Sequence, residues 1–254
     1  MIISLDDHMR LLVEEFLPVV DKYVYSVLIE TRPRHFSQIG SCVCVKERGH
    51  CYIATAEHVI SNILDSGNAV YIGTGNLDKT GTIFKLPASE KFWMFHPDEE
   101  ADLALLELPE PIAGVCFFPL SPSTTSYIPS MRGRYFLAGY TNSQNKEFKV
   151  NTDAQTKSTY IQPVIVKVDP DLDFEKNGKD RKLHIGFEYN RVTVGGKGNQ
   201  QGVSLKGMSG AGLWYISDEV DTSSILLAGI LIEWHKDTHV AYATLAKYLD
   251  DLIP

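Results

Sequence analysis

The sequence predicts a mainly β protein made of two β modules with a helix at each end. Three observations carry this. Runs such as VYSVLIE (24–30), CYIATA (51–56) and ADLALLEL (101–108) are short, β-branched or aromatic, and separated by turn residues at regular intervals. Helical spacing of apolar residues occurs only near the two ends of the chain. Between the two sets of strands, FFPLSPSTTSYIPS (117–130) is rich in Pro, Ser and Thr and has no period, as expected of a linker.

In chain order, Leu5, Met9, Leu11, Leu12, Phe16 and Leu17 mark a helix over 5–19 that Pro18 should close. Strands follow at 24–30, GSCVCVK (40–46), 51–56, NAVYIG (68–73), KTGTIFKL (79–86) and 101–108. After the linker come GRYFLAGYT (133–141), KSTYIQPVIVKV (157–168), KLHIGFEYN (182–190), GAGLWYIS (210–217) and ILLAGILIEW (225–234). TLAKYLDDLI (244–253) suits a short C-terminal helix. No internal repeat points to a solenoid. The run GGKGNQQG (195–202) lacks the Gly-Lys-Ser/Thr ending and following helix of a phosphate loop, and reads as a surface loop.

The chain has 254 residues, 44% apolar and 22% charged, the profile of a folded domain rather than a disordered one. Twenty-four basic against 32 acidic side chains leave a net charge of -8, which argues against a polyanion-binding protein and so against a nucleic-acid partner. The basic residues of 176–182 lie among Asp171, Asp173 and Glu175, as in a solvated loop. No stretch approaches a membrane span, so no membrane partner is expected. The start, MIISLDDHMRLLVEEF, lacks a secretory pattern, and a cytosolic location is expected. Cys42, Cys44, Cys51 and Cys116 are then expected to be reduced, the first three as small buried side chains. Their spacing with His50 matches no zinc pattern, and neither a metal nor another cofactor is expected.

Three segments carry chemistry. GSCVCVKERGHCYIATAEHVI (40–60) reads as a hairpin running into a small-residue turn that presents His58. HPDEEADLALLEL (96–108) puts Asp102 at the start of an apolar strand, and LKGMSGAGLW (205–214) sets Ser209 between glycines at a tight turn. Alone, each has an ordinary structural explanation: a packed histidine, a strand-capping aspartate, a serine in a Gly-rich turn. Together they supply what nucleophilic catalysis needs. A serine hydroxyl is a weak nucleophile until a base takes its proton. Histidine suits that task near neutral pH, and a carboxylate fixes its tautomer. Gly207 lets the backbone turn so that the amides of Gly207 and Ser209 converge where an oxyanion would sit. Gly210 leaves room for a substrate backbone.

The order His, Asp, Ser, with TAEHV, ADLALLEL and GMSGAG, resembles the trypsin-like (chymotrypsin-fold) serine peptidases, and in texture the short-looped HtrA-type branch. The family's strings are T-A-A-H-V, D-I-A-L-L and G-N/D-S-G-G-P. The resemblance, over roughly residues 22–253, implies two antiparallel six-stranded β-barrels with the active site in the cleft. The expected units are a helical segment (1–20), a barrel with His58 and Asp102 (21–118), a linker (119–130) and a barrel with Ser209 plus the terminal helix (131–254). It makes His58 the base, Asp102 the acid, Ser209 the nucleophile, and Gly207 and Ser209 the oxyanion donors. By the same resemblance Val203, Ser204, Ile232, Glu233, Trp234 and His235 line the specificity pocket, with His239 and Val240 approaching. Val203 in place of an acid argues for an apolar or small residue before the scissile bond, while Glu233, pointing inward, would favour a basic one. Met208 stands where digestive enzymes keep a zymogen-pairing aspartate, so control should act otherwise, through ordering of 203–208 or a regulatory or sensor protein.

The expected activity is hydrolysis of peptide bonds in protein substrates through an acyl-enzyme. The departures at Glu57, Ala211 and Gly212 leave one alternative of a different class, a catalytically silent domain that binds peptides or scaffolds a complex. An α/β-hydrolase is excluded by the order of the triad and the little chain left after Ser209. The scattered histidines, including the i, i+4 pair His235 and His239 on an apolar strand, do not make a metal hydrolase.

Overall fold

The computed structural model describes residues 5–66, 68–75, 81–86, 94–98, 100–120, 133–142, 148–149, 161–169, 171–193, 204–216 and 225–253. Helix α1 (Leu5–Val20) turns Met9, Leu12, Val13, Phe16 and Val20 into the core and Arg10, Glu14 and Glu15 to water. Pro18 lies inside its last turn instead of ending it, and a 3₁₀ turn at Asp21–Tyr23 follows. So near the end, proline removes one helical hydrogen bond without disturbing the turns before it.

The N-terminal module is a nine-stranded sheet. Its strands are β1 (Val24–Arg32), β2 (His35–Glu47), β3 (His50–Ala56), β4 (Val70–Gly75), β5 (Gly81–Lys85), β6 (Met94–Asp98) and β7 (Leu103–Leu108). They run in the order β5-β4-β1-β2-β3-β7-β6, and β8 (Phe118–Pro119) and β10 (Phe148–Lys149) add to β2. The C-terminal module is a closed barrel, β11-β12-β15-β14-β13-β9. Its members are β9 (Arg134–Tyr140), β11 (Ile161–Val168), β12 (His184–Thr193), β13 (Gly212–Ile216), β14 (Ile225–His235) and β15 (Val240–Leu245). Helices α2 (Glu57–Ser66) and α3 (Tyr248–Leu252) complete the chain. The architecture is mainly β and chymotrypsin-like, with one closed six-stranded barrel; the described strands of the other module form a sheet with β5 and β6 at its ends.

Several elements differ from expectation, each for a local reason. His58 is the second residue of a helix rather than part of a turn; Val59, Ile60 and Ile63 of α2 are buried on one face. Strand β6 carries Pro97, which lacks a ladder donor and is tolerated where β6 is the last of the described strands in the sheet order. The first residues of the proposed linker are structural: Phe118 and Leu120 are buried and β8 pairs in parallel with β2. The C-terminal helix is shorter than 244–253, since Thr244 and Leu245 finish β15. The loop over 171–183 is pinned rather than free. Phe174 is buried, Arg181 lies 4.5 Å over its ring, and Asn177 donates to the Tyr242 hydroxyl at 2.9 Å. Residues 121–130 and the Gly-rich 195–202 lie outside the described residues.

The largest core cluster joins both modules with helices α1 and α3. Phe16 and Val20 of α1 pack with Val43 and Leu105 of the sheet, Phe136, Tyr140 and Trp214 of the barrel, and Leu249 of α3. Each such buried side chain contributes about 1.5–3 kcal/mol, and α1 lies against β9 and β11 of the barrel. Leu11, 53% exposed, is the large apolar side chain left outside among the described residues.

Candidate active site

Asp102 and His58 meet where strand β7 begins and helix α2 begins. Asp102 sits in a left-handed turn, φ 48°, which Asp accepts more readily than most residues. Its main-chain oxygen accepts from Glu57 N at 3.1 Å, and its Oδ1 accepts from His58 N at 3.1 Å. The carboxylate thus caps the first turn of α2, where the helix dipole favours negative charge. The same carboxylate lies 2.8 Å (Oδ2) and 3.0 Å (Oδ1) from His58 Nδ1. The Thr244 hydroxyl donates to Ala101 O and ties this turn to the barrel.

The hydrogen bond from His58 Nδ1–H to Asp102 holds the His58 pKa above the ordinary histidine value; burial opposes it, and the charges of Asp102, Glu57 and Glu233 add to the rise. Glu57, the residue before the histidine, accepts from the Ser61 hydroxyl one helical turn on and so stays beside the base. An NMR titration of His58 should therefore give a midpoint above the ordinary value of 6.5, and Glu57→Gln should lower it. A raised histidine stabilises the fold below its unfolded-state pKa, and that contribution fades as pH rises through the folded-state value. A midpoint at or below 6.5 would contradict the Asp102 contact.

Ser209 lies in a turn bounded by two glycines in conformations closed to other residues, Gly207 at φ 92° and Gly210 at φ 89°. Met208 N donates to Leu205 O at 2.9 Å and Ala211 N to Met208 O at 2.7 Å, so two tight turns meet at Met208 and the second carries the serine. Strand β2 holds the turn from the side: Ser41 N donates to Ser209 O at 2.7 Å. A Cβ on Gly40 would lie 2.8 Å from Val59 and 3.1 Å from Ser209 O. The bare Cα of Gly40 therefore lets the serine turn and the first turn of α2, with His58, approach the same point. Ala211 and Gly212 continue into β13 without disturbing this arrangement.

Of the specificity candidates, Ile232, Glu233, Trp234 and His235 lie together on β14. β13 pairs with β14 only as far as Gly212↔Ile230, and Leu231 then bonds Gly210 and Ala211. On that side no described strand pairs with 232–235, whereas the other side stays paired with β15 to His235↔Val240. Ile232 is buried and Glu233, Trp234 and His235 are half-buried. Glu233 lies 2.6 Å from Lys179 Nζ and 3.2 Å from His235 Nε2, so it is engaged rather than a free anion. Ser204 accepts from Lys206 N at 3.3 Å, and Val203 lies outside the described residues.

Sequence reasoning missed Gln38, Ser41 and Asn142, which surround the Ser209 turn. Asn142 N donates to Lys206 O at 2.7 Å, and a Cβ on Gly207 would lie 2.1 Å from Asn142 Oδ1. No motif marks these residues; the one available signal is a glutamine on the buried strand β2. The cysteines are free, Cys42, Cys44 and Cys51 buried and Cys116 exposed; burial and a hydrogen bond to Cys42 push the Cys44 thiol well up. Among the described residues, no three His, Cys, Asp or Glu side chains cluster as metal ligands.

A two-module β fold with a His–Asp pair on one module and a glycine-bounded serine on the other is that of a chymotrypsin-like peptidase. The family model for a trypsin-like peptidase domain matches residues 40–218, and the chain belongs to that family. A search of curated proteins found no match. Human heparin binding protein is similar in structure at 13% identity and a TM-score of 0.50, over 90% of this chain and 88% of that one. A structure from a study of folding and binding by the Sesbania mosaic virus VPg protein matches at 13% identity and a TM-score of 0.48, over 92% of this chain and 90% of that one.

Proposed function

We propose that this protein is a serine endopeptidase with Ser209 as nucleophile, His58 as base and Asp102 as its orienting carboxylate. The observation that carries the reading is the Asp102 carboxylate 2.8 Å from His58 Nδ1, beside a glycine-bounded serine turn. With Nδ1–H donating to Asp102, the lone pair of Nε2 is left to accept the Ser209 proton. Ser209 Oγ then attacks the substrate carbonyl, and the amides of Gly207 and Ser209 receive the oxyanion. Collapse of the tetrahedral species expels the amine, to which His58 returns the proton. Water, deprotonated by the same histidine, releases the acyl group and restores Ser209.

The edge at 232–235, which no described strand pairs on the β13 side, suits a substrate that adds as an extended strand, which favours a protein or peptide substrate over a small ester. With Glu233 bound to Lys179, the reading favours an apolar or small residue before the scissile bond. No cofactor takes part. The motifs favour the short-looped HtrA-type branch, the free cysteines suit the cytosol, and Met208 in place of a zymogen-pairing aspartate suits control by a partner protein.

The test is labelling of the purified protein with a fluorophosphonate probe. Wild type is expected to label, with Ser209→Ala and His58→Ala silent. A folded wild type that fails to label, alone or with candidate partners, would favour the silent peptide-binding domain.

A further inference from the structure

We propose that Gln38 is a positioning residue that holds the oxyanion-binding turn in its working shape from the opposite module; this rests on the endopeptidase reading above. Gln38 lies on β2 and is 7% exposed. Its Nε2 donates to Tyr140 O at 2.6 Å and to Gly207 O at 3.0 Å, which uses both amide hydrogens. Ser41 Oγ lies 3.1 Å from Gly207 O and 3.4 Å from Tyr140 O, and accepts from Tyr140 N at 3.0 Å. One side-chain pair therefore links the N-terminal sheet, the end of β9 and the turn that carries Ser209.

The backbone is shaped for this link. In an uninterrupted strand, residues 38 and 41 point to opposite faces. Here Val27 faces Gly40 while Leu28 faces Gln38, so Ile39 is one extra residue on β2. That bulge changes the phase of the strand and turns Gln38 and Ser41 to the same side.

The link bears on catalysis through the peptide units on either side of Gly207. Within a trans peptide the N–H and C=O point in opposite directions. Lys206 O is held by Asn142 N, so the Gly207 N–H of that unit is aimed away from Asn142. Gly207 O, in the next unit, is held by Gln38 and Ser41. Glycine at φ 92° has little steric preference of its own, so these hydrogen bonds set its orientation. Were the Lys206–Gly207 unit to rotate, a carbonyl would replace the N–H that is to meet the oxyanion. Gln38 is also a poor choice for packing alone. Its Oε1 is buried without a hydrogen-bond partner among the described residues, a cost of about 1–3 kcal/mol that an apolar side chain of similar length would avoid.

The experiment compares the full chain with Gln38→Met, which keeps length and loses both donors; Gln38→Leu replaces it if the Met variant does not fold. Hydrogen exchange of the segment 204–211 is expected to accelerate in the variant. With a fluorophosphonate probe, the maximal labelling rate is expected to fall about 10- to 100-fold, somewhat less than loss of an oxyanion donor itself, while the half-saturating probe concentration changes less than about twofold. Unchanged exchange overturns the proposal, and so does faster exchange with an unchanged maximal rate. A wild type that does not label refutes the endopeptidase reading instead, and the exchange measurement still decides whether Gln38 holds the turn.

Discussion

Asp102→Asn is expected to lower the rate of fluorophosphonate labelling and of peptide hydrolysis by on the order of 10⁴-fold while leaving the fold intact. The fold should survive because asparagine tolerates the left-handed backbone that Asp102 adopts at φ 48°. Its side-chain oxygen can also keep accepting from His58 N, now 3.1 Å from Oδ1, and Asn is as good an N-cap as Asp. Once that oxygen is committed to the cap, the amide nitrogen faces His58 Nδ1, where Oδ2 now lies at 2.8 Å. Nδ1 must then accept, so the ring proton moves to Nε2 and no lone pair remains for the Ser209 hydroxyl. Melting within a few degrees of wild type, together with the rate loss and a changed His58 tautomer by NMR, would support this account. A variant that keeps its rate to within tenfold would show that Asp102 does not set the tautomer.

How much of this was legible in the sequence follows the range of the forces involved. The residues proposed at 58, 102 and 209 stand out in the sequence through their local surroundings: small residues before the histidine, an apolar strand after the aspartate, glycines around the serine. The strand-rich texture, the α1 stripe and the division into two modules were legible for the same reason. Helix α2 was not anticipated, although Val59, Ile60 and Ile63 form its buried face. Its ten residues are short, and its first turn is stabilised by a carboxylate 44 positions away. Strand β6 was hidden by Pro97, which fits a strand that ends the sheet among the described residues. Gln38 carries no motif at all. Its bonds to Tyr140 and Gly207 span 102 and 169 positions, and they depend on a bulge that only the pairing with β1 reveals. The engagement of Glu233 with Lys179 likewise depends on how the loop at 171–183 lies against β14.

The second large effect is expected at Gly210, where stability and the site should fail together. An alanine Cβ there would lie 1.9 Å from Ser41 O and 2.2 Å from Thr55 Oγ1, with the Ser41 carbonyl carbon at 2.9 Å. The nearest obstacle is backbone in the middle of a sheet, so it cannot swing aside as a side chain would. Relief requires the Ser209 turn to lift from β2. That movement strains or breaks the bond from Ser41 N to Ser209 O and the bond from Gly210 N to Leu231 O, both 2.7 Å. Each is worth about 1 kcal/mol net. An L-residue at φ 89° adds about 1–3 kcal/mol of backbone strain. Together these imply a loss of about 3–5 kcal/mol, and for a chain of this size a fall in Tm of roughly 10 °C or more. Gly178→Ala is the control: its φ is also positive, 64°, but a Cβ there meets nothing within 4 Å. It should cost about 1 kcal/mol and leave labelling unchanged. The difference between the two variants isolates the contact with β2 from the cost of the left-handed backbone. If Gly210→Ala melted with Gly178→Ala and still labelled, the serine turn would not be pressed against Ser41. The approach of Ser209 to the first turn of α2, which depends on that contact, would then have to be abandoned.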